Sequence, residues 1–465
     1  MTQAVAPAES VPAPASPAPL SAASRAIPGA NWRLGFVIAC HAVVDFFSFL
    51  IVPLITVIEG RLALTHAQGA VILATGSICS GLIQPATAWI CDRYNTRLPG
   101  VIGLLAAGLA ALLVGRVDSF TQVMLLQIVS SAGVGAFHPV AAAATGRLGG
   151  SRRALALSGF YMAGMLGGMS GNVIFPVWVQ SAGNGDAGLG LRSLAWAMIG
   201  AVVFTLVMHI AIGGIDHRRR RRHDDLPSPA IPHRWRSVWL LYAGNAIRFT
   251  VNTSMILLVA RWTELEAVAR AGAPELTDAL RGRASIHNGP LQASMQLGAG
   301  AAAMIAGAFV AHRHERLALG LSPLLGALAI AAFPFTRGLG SESASVILAG
   351  LASIIVGVGS GALVPMTIGM AQRLLPDHTS LASGLMMGGA WTIAAIGPPL
   401  TQIAVDGVGF ANACLIVAVI TGLSGLLAIG LRVPDDSPID GSPGAPGSPA
   451  TDPIPGMPLM SPRSE

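Results

Sequence analysis

His41 and Asp45, two ionisable residues four apart, lie in the middle of an apolar run, and Ser48 continues the stripe. A second stripe, Asn245, Arg248 and Asn252, repeats the three-and-four spacing in another apolar run. Such spacing puts side chains on one helical face. Groups that ionise at membrane depth cost about 2.5–3.5 kcal/mol each on insertion scales, so each needs a reason to be there. A carboxylate in that setting can accept and release a proton, with His41 as a second exchanging group. A guanidinium flanked by amides can hold an anionic group through its planar fork of donors. The plainer readings are structural: Asp45 as counter-ion to Arg248 or partner of His41, and Arg248 as a bridge between helices.

Further polar positions interrupt apolar sequence. His138-Pro139 combines a kink with a group able to line a cavity or exchange a proton. Gln84-Pro85 pairs a kink with a candidate substrate contact, and Gln127 is another such contact. The segment Cys91-Asp92-Arg93-Tyr94-Asn95-Thr96-Arg97 sets an acid at a helix end beside two bases, a combination that can latch neighbouring helices until a cavity opens.

The elements that must position these residues follow from composition. The chain of 465 residues is 53% hydrophobic and only 11% charged, with a mean hydropathy of +0.64. Soluble domains carry about 25% charge, so this chain has too little polar surface to dissolve. The 56 glycines, many inside apolar runs, suit close helix contacts in lipid. A span needs roughly 20 apolar residues. Twelve such runs are predicted, the first six near Arg33–Val57, Gln68–Cys91, Leu98–Arg116, Thr121–Thr145, Ala154–Val179 and Leu194–Ile215. The second six are Val238–Trp262, Pro290–His312, Leu317–Phe335, Val346–Gln372, Leu381–Val405 and Gly409–Leu431.

The net charge of +6 reads as membrane topology and not as nucleic-acid binding. All the cations are Arg, and most fall in alternate segments between runs, including the block His217–Arg222. The expected organisation is a disordered tail at 1–31 without a cleavable signal, a bundle at 32–215, a cytoplasmic basic linker at 216–234, a second bundle at 235–432 and a disordered tail at 433–465. Both termini are placed in the cytoplasm, at the plasma or inner membrane. Arg261, Arg270, Arg281 and Arg283 are read as lying in one longer loop on the other side.

The two bundles repeat one pattern. Gly133-Val-Gly135-Ala-Phe-His-Pro139 has its counterpart in Gly359-Ser-Gly361-Ala-Leu-Val-Pro365, with Arg147 and Arg373 following at equal distance. Duplicated halves place a pathway at their interface. The chain is therefore read as an all-α membrane protein of twelve spans in two pseudo-symmetric six-helix bundles.

On these residues the chain resembles the major facilitator superfamily. Asp92, Arg93 and Arg97 stand in register with its gate motif, although Ala88, Asn95 and Thr96 depart from it. The second copy, Gly307 to Arg316, keeps both ends but has Ala311 where the acid would stand, so no matching latch is expected. Within the superfamily it is similar to the fosmidomycin-resistance-like branch, through His41 and Asp45, Leu82-Ile83-Gln84-Pro85, and Gly135-Ala-Phe-His-Pro139 leading to Arg147. The resemblance implies the major facilitator fold and a secondary carrier that moves a small solute or drug, anionic ones included, by proton-coupled efflux. Import, or a sensor that has lost transport, are the alternatives. The Gly-Pro of the exporter motif is absent from the fifth run.

No nucleophile–base or metal-ligand spacing is present, so neither an enzyme nor a cofactor or metal site is expected. His312/His314 and His217/His223 read as solvated histidines among arginines. The expected partners are the small-molecule substrate, protons and the lipid bilayer, with the chain a monomer.

Overall fold

The computed structural model describes residues 27–215, 234–361, 363–375 and 379–432, leaving aside the side chains at 92, 151, 154, 379 and 380. The expected tails and basic linker, with His217 and His223, fall wholly or largely outside the described residues. All regular structure among the described residues is helical.

Ten helices there are long and apolar enough to cross a membrane. They are α1 Ala30–Arg61, α2 His66–Cys91, α3 Leu98–Arg116, α4 Phe120–Leu148, α5 Leu155–Gly183, α6 Ala187–Ala211, α9 His312–Thr336, α10 Glu342–Leu374, α11 Leu381–Val408 and α12 Phe410–Gly430. Two more long helices, α7 Arg234–Ala271 and α8 Asp278–Phe309, complete the order. α7 outruns the expected run Val238–Trp262 at both ends, while α8 starts well before the expected Pro290 and stops at Phe309, short of His312; their polar ends lower their apolar character. The expectation of a loop holding Arg261, Arg270, Arg281 and Arg283 is thereby corrected: all are helical. Partners in neighbouring turns and helices keep these arginines in place, as Glu266 does for Arg270 at 2.8 Å and Glu342 does for Arg283.

Helix starts at one end are capped by side chains. Thr65, Ser119, Asp186 and Thr277 each accept a first-turn N–H, opening α2, α4, α6 and α8. These caps satisfy donors that the helix itself cannot. At the opposite end lie the arginine-rich turns around Arg93–Arg97, Arg147–Arg153 and Arg313–Arg316. There Arg33 Nε donates to Ala211 O (2.7 Å), tying the start of α1 to the end of α6. Ser237 Oγ donates to Arg432 O (2.8 Å), tying the start of α7 to the chain just past α12.

Four apolar clusters form the interior. Two are built from buried residues of 37–215, joined by Leu257 and Ala260 of α7 with Ile256 packed against them, and two from buried residues of 238–431. Glycine sets the closest approaches: a Cβ on Gly357 of α10 would lie 2.0 Å from Met295 O of α8. Without a hydrophobic drive between helices in lipid, such backbone proximity supplies the packing. A Gly357→Val variant is expected to lower the thermal midpoint in detergent by several degrees, since overpacking costs about 1–3 kcal/mol. Gly369→Val, at a position with nothing within 4 Å, is expected to leave it unchanged; equal effects would contradict the packing.

Candidate functional site

α1 breaks where the site begins. Pro53 has no N–H for the Phe49 carbonyl, and the helix divides into Ala30–Ser48 and Ile51–Arg61. One turn before the break, Asp45 meets two imidazoles. His41 Nε2 lies 3.4 Å from Oδ2, and His138 Nε2, from α4, lies 3.4 Å from Oδ1. The two Nε2 atoms are 3.2 Å apart.

The other ring nitrogens are committed. His41 Nδ1 donates to Phe160 O (2.6 Å), and His138 Nδ1 donates to Val134 O (2.8 Å). A carbonyl only accepts, so each Nδ1 carries the hydrogen. Neutral rings then turn bare Nε2 lone pairs toward each other and toward the carboxylate. Three acceptors at this range repel unless a proton or a cation sits among them. The Phe160 ring stacks on His41 with centroids 3.7 Å apart, and Gly164 leaves no room for a Cβ, which would fall 2.5 Å from Asp45 Oδ2. The pocket is sealed behind His41 (5% exposed) and reachable past Asp45 (17%) and His138 (27%).

The other candidates separate into accessible and enclosed groups. Gln127 and His138, eleven residues apart on α4, share a face, and both are half-buried. Half-buried Gln84 donates to Ser80 Oγ within α2. Asn252 is half-buried, whereas Asn245 is fully enclosed, donating to Thr367 Oγ1 (2.8 Å) and Met386 O (3.2 Å). Met386 belongs to a π-helical stretch, Leu385–Gly389, in α11. Arg248 is enclosed too, at 4% exposure, against Leu319 of α9 and Ala428 of α12. It reaches Asn245 Oδ1 (3.3 Å) and Leu319 O (3.4 Å), with Nε unbonded and no carboxylate in ion-pair range among the described residues. Of the two structural readings of Asp45, the structure shows the partner of His41, joined by His138, and not the counter-ion of Arg248, because the stripe on α7 turns toward α9, α11 and α12. In this conformation Asn245 pins α7 to α10 and α11.

Of the expected gate, the Asp92 side chain lies outside the described residues. Arg93 is exposed, and Arg97 lines a depression with Tyr94, His209 and Ile215. At the second copy of that motif, where Ala311 stands in the acid's place, an ion pair forms four residues further on. Glu315 is bonded to Arg373 of α10 and to His312 Nδ1 (2.9 Å).

A buried ionic cluster at the capped end went unforeseen. Arg261 of α7 donates to Glu59 of α1 (2.7 and 2.9 Å) and to Glu264 (2.9 Å), and its Nε donates to Gln402 of α11 (3.0 Å). His66 Nδ1 lies 2.9 Å from Glu59, and Thr56 donates to Glu264 (2.8 Å). Ser285 and Asn288 of α8 donate to Pro53 O and Val52 O nearby. The one available signal was Arg261, Glu264 and Glu266 within two turns of an apolar run. Two groups of described residues bring three metal-type ligands within 4.8 Å: His41, Asp45 and His138, and Glu59, His66 and Glu264. In the second, Arg261 already supplies the cation; the first corrects the expectation that no ligand constellation exists.

Long apolar helices packed through glycines, with ionisable groups held inside, define a polytopic membrane carrier and not an enzyme. The family model described as Major Facilitator Superfamily matches residues 37–267 and 283–460, and the chain belongs to that superfamily. It is 24% identical over 373 residues to the fosmidomycin resistance protein of Escherichia coli (strain K12), covering 80% of this chain and 86% of that one. Among solved structures it is similar to a bacterial homolog of the human lysosomal transporter Spinster in an inward-facing, unoccupied conformation. That match has a TM-score of 0.63 at 15% identity, over 86% of this chain and 96% of the other. The nucleoside transporter NupG matches with a TM-score of 0.64 at 12% identity, over 86% and 99% of the two chains.

Removing Arg261 leaves two buried glutamates facing each other, a change that costs about 3–5 kcal/mol. Arg261→Ala is expected to lower the thermal midpoint and to expose the capped end. With Cys40, Cys79, Cys91 and Cys414 replaced, thiol labelling at Ser285→Cys is expected to rise when Arg261→Ala is added; unchanged labelling would show that the cluster does not hold this end closed.

Proposed function

We propose that the chain is a proton-coupled secondary carrier that works by alternating access, with all twelve helices crossing the bilayer as two six-helix halves, 32–215 and 235–432, joined by 216–234. The positive-inside rule sets the arginine-rich end and both termini in the cytoplasm of the cell or inner membrane. On that orientation the capped end faces outward. Hydrogen bonds between the two parts of the chain gather there, so this conformation is closed outward and opens inward.

The observation that carries the reading is the carboxylate of Asp45 held between two imidazoles whose outer nitrogens are fixed by carbonyls. A proton arriving past His138 has a place among three acceptors, and its loss leaves them in mutual repulsion. That difference can be relieved by moving α4 against α1, which couples proton occupancy to conformation. His138, Gln127, Gln84 and Asn252 are the substrate contacts. Arg248, whose charge has no carboxylate partner among the described residues, binds an anionic group once the packing against Leu319 and Ala428 loosens. Asp92, Arg93 and Arg97 gate the cytoplasmic side, with Glu315 and Arg373 as their counterpart. The named relative directs the substrate reading to efflux of a small anionic drug, fosmidomycin first among the solutes to test.

In proteoliposomes, a pH gradient is expected to drive solute flux through the wild type. Asp45→Asn is expected to lower that flux at least about tenfold while solute exchange without a gradient persists, as for loss of a proton-transfer group. Gradient-driven flux unchanged in both Asp45→Asn and His138→Gln would remove proton coupling from this site. Arg248→Lys and Arg248→Ala are both expected to weaken anionic solutes over neutral ones; equal transport of both classes would leave Arg248 structural.

A further inference from the structure

We propose that His41, Asp45 and His138 form a binding site for a divalent transition-metal cation of the zinc type. The separations among the ligand atoms carry it: 3.2 Å between the two Nε2 atoms and 3.4 Å from each Nε2 to the nearer carboxylate oxygen. Four-coordinate zinc binds imidazole and carboxylate at about 2.0–2.1 Å, which places neighbouring ligand atoms about 3.3–3.4 Å apart. The two nitrogens thus already stand about one tetrahedral edge apart, and the Asp45 carboxylate faces both, Oδ2 toward His41 and Oδ1 toward His138. One ligand atom from each residue lies within 4.8 Å of the other two, so a turn of the carboxylate about its own bond brings one oxygen to the ion without moving the helices.

The surroundings agree. A metal-binding histidine usually donates its other ring N–H to a carbonyl or carboxylate, which fixes the tautomer and turns the free lone pair to the ion. Both rings here do so, to Phe160 O and Val134 O. Phe160 stacks on the His41 ring and Gly164 holds the backbone of α5 against the pair, so the ligands are preorganised. Two imidazoles and one carboxylate suit zinc, cobalt or iron(II) better than magnesium or calcium, which favour oxygen. Access past Asp45 and His138 leaves the fourth position open to water or to an anionic group of a ligand. Such an open position makes an exchangeable site and not a closed structural one. The inference rests on ligand geometry alone and stands independently of proton coupling.

The test is Zn²⁺ titration by calorimetry on the full chain in detergent, with Co²⁺ as a spectroscopic probe. One saturable site is expected, with the intense visible d–d bands of four-coordinate cobalt. His138→Gln and Asp45→Asn are each expected to weaken binding by more than the roughly 10–100-fold lost when only an outer-shell partner is removed. Both variants replace a ligand by a neutral side chain of similar size, and thermal midpoints read in parallel confirm folding. An absence of saturable binding in the wild type overturns the site. Binding that survives in the His41→Gln, His138→Gln double variant overturns it as well, and assigns the metal to surface histidines such as His312 and His314. Gradient-driven flux without metal binding removes this inference and leaves the proposed carrier; metal binding without such flux does the reverse.

Discussion

Arg261 between Glu59 and Glu264 joins residues from two parts of the chain in a place where water barely reaches: the side chains are 3%, 0% and 6% exposed. Charges so enclosed must be matched by partners, because the attraction between them is all that offsets their lost hydration. The match here requires α1 and α7 to stay together at the capped end. α11 follows through Gln402, and α8 follows through its bonds to the broken turn of α1. The conformation of the whole carrier is thus tied to one guanidinium. Two carboxylates share it, and His66 Nδ1 lies 2.9 Å from Glu59.

The second enclosed cluster, around Asp45, differs in kind. It has one carboxylate and two imidazoles, so its charge depends on what it holds. Every other polar contact of the two rings is spent on the backbone, which leaves both Nε2 atoms facing the carboxylate. A site of this sort lies on the same helix as the ionic lock, separated from it by the break ahead of Pro53. The break lets the halves of α1 answer to different partners: Ala30–Ser48 to α4 and α5, and Ile51–Arg61 to α7 and α8.

Arg248 shows how far side-chain spacing can be trusted. Its stripe with Asn245 and Asn252 is a real helical face, but a stripe has no compass. Whether it turns inward to a cavity or sideways to a neighbour depends on the rotation of α7 within its bundle. That rotation is set by apolar packing against α9 and α12 and by the bonds of Asn245 to Thr367 and Met386, none of which is encoded in α7 alone.

Hydropathy settled the class of protein, since so few charges cannot cover a water-facing surface of this size. The repeat between Gly133 and Arg147 and between Gly359 and Arg373 was legible as well, and so was the His41–Asp45 pair, because helical periodicity is local. Long-range partners were not legible. His138 lies 97 residues from His41, and nothing in either segment announces the other. Arg261 was read as a loop residue because its charge ends an apolar run, and only the partner helix explains how it stays buried. Ala311 gave no sign of the ion pair that Glu315, four positions on, makes with Arg373. Local spacing determines which residues share a face; only the packed bundle decides which faces meet, since burial and charge pairing are properties of neighbours distant in the chain.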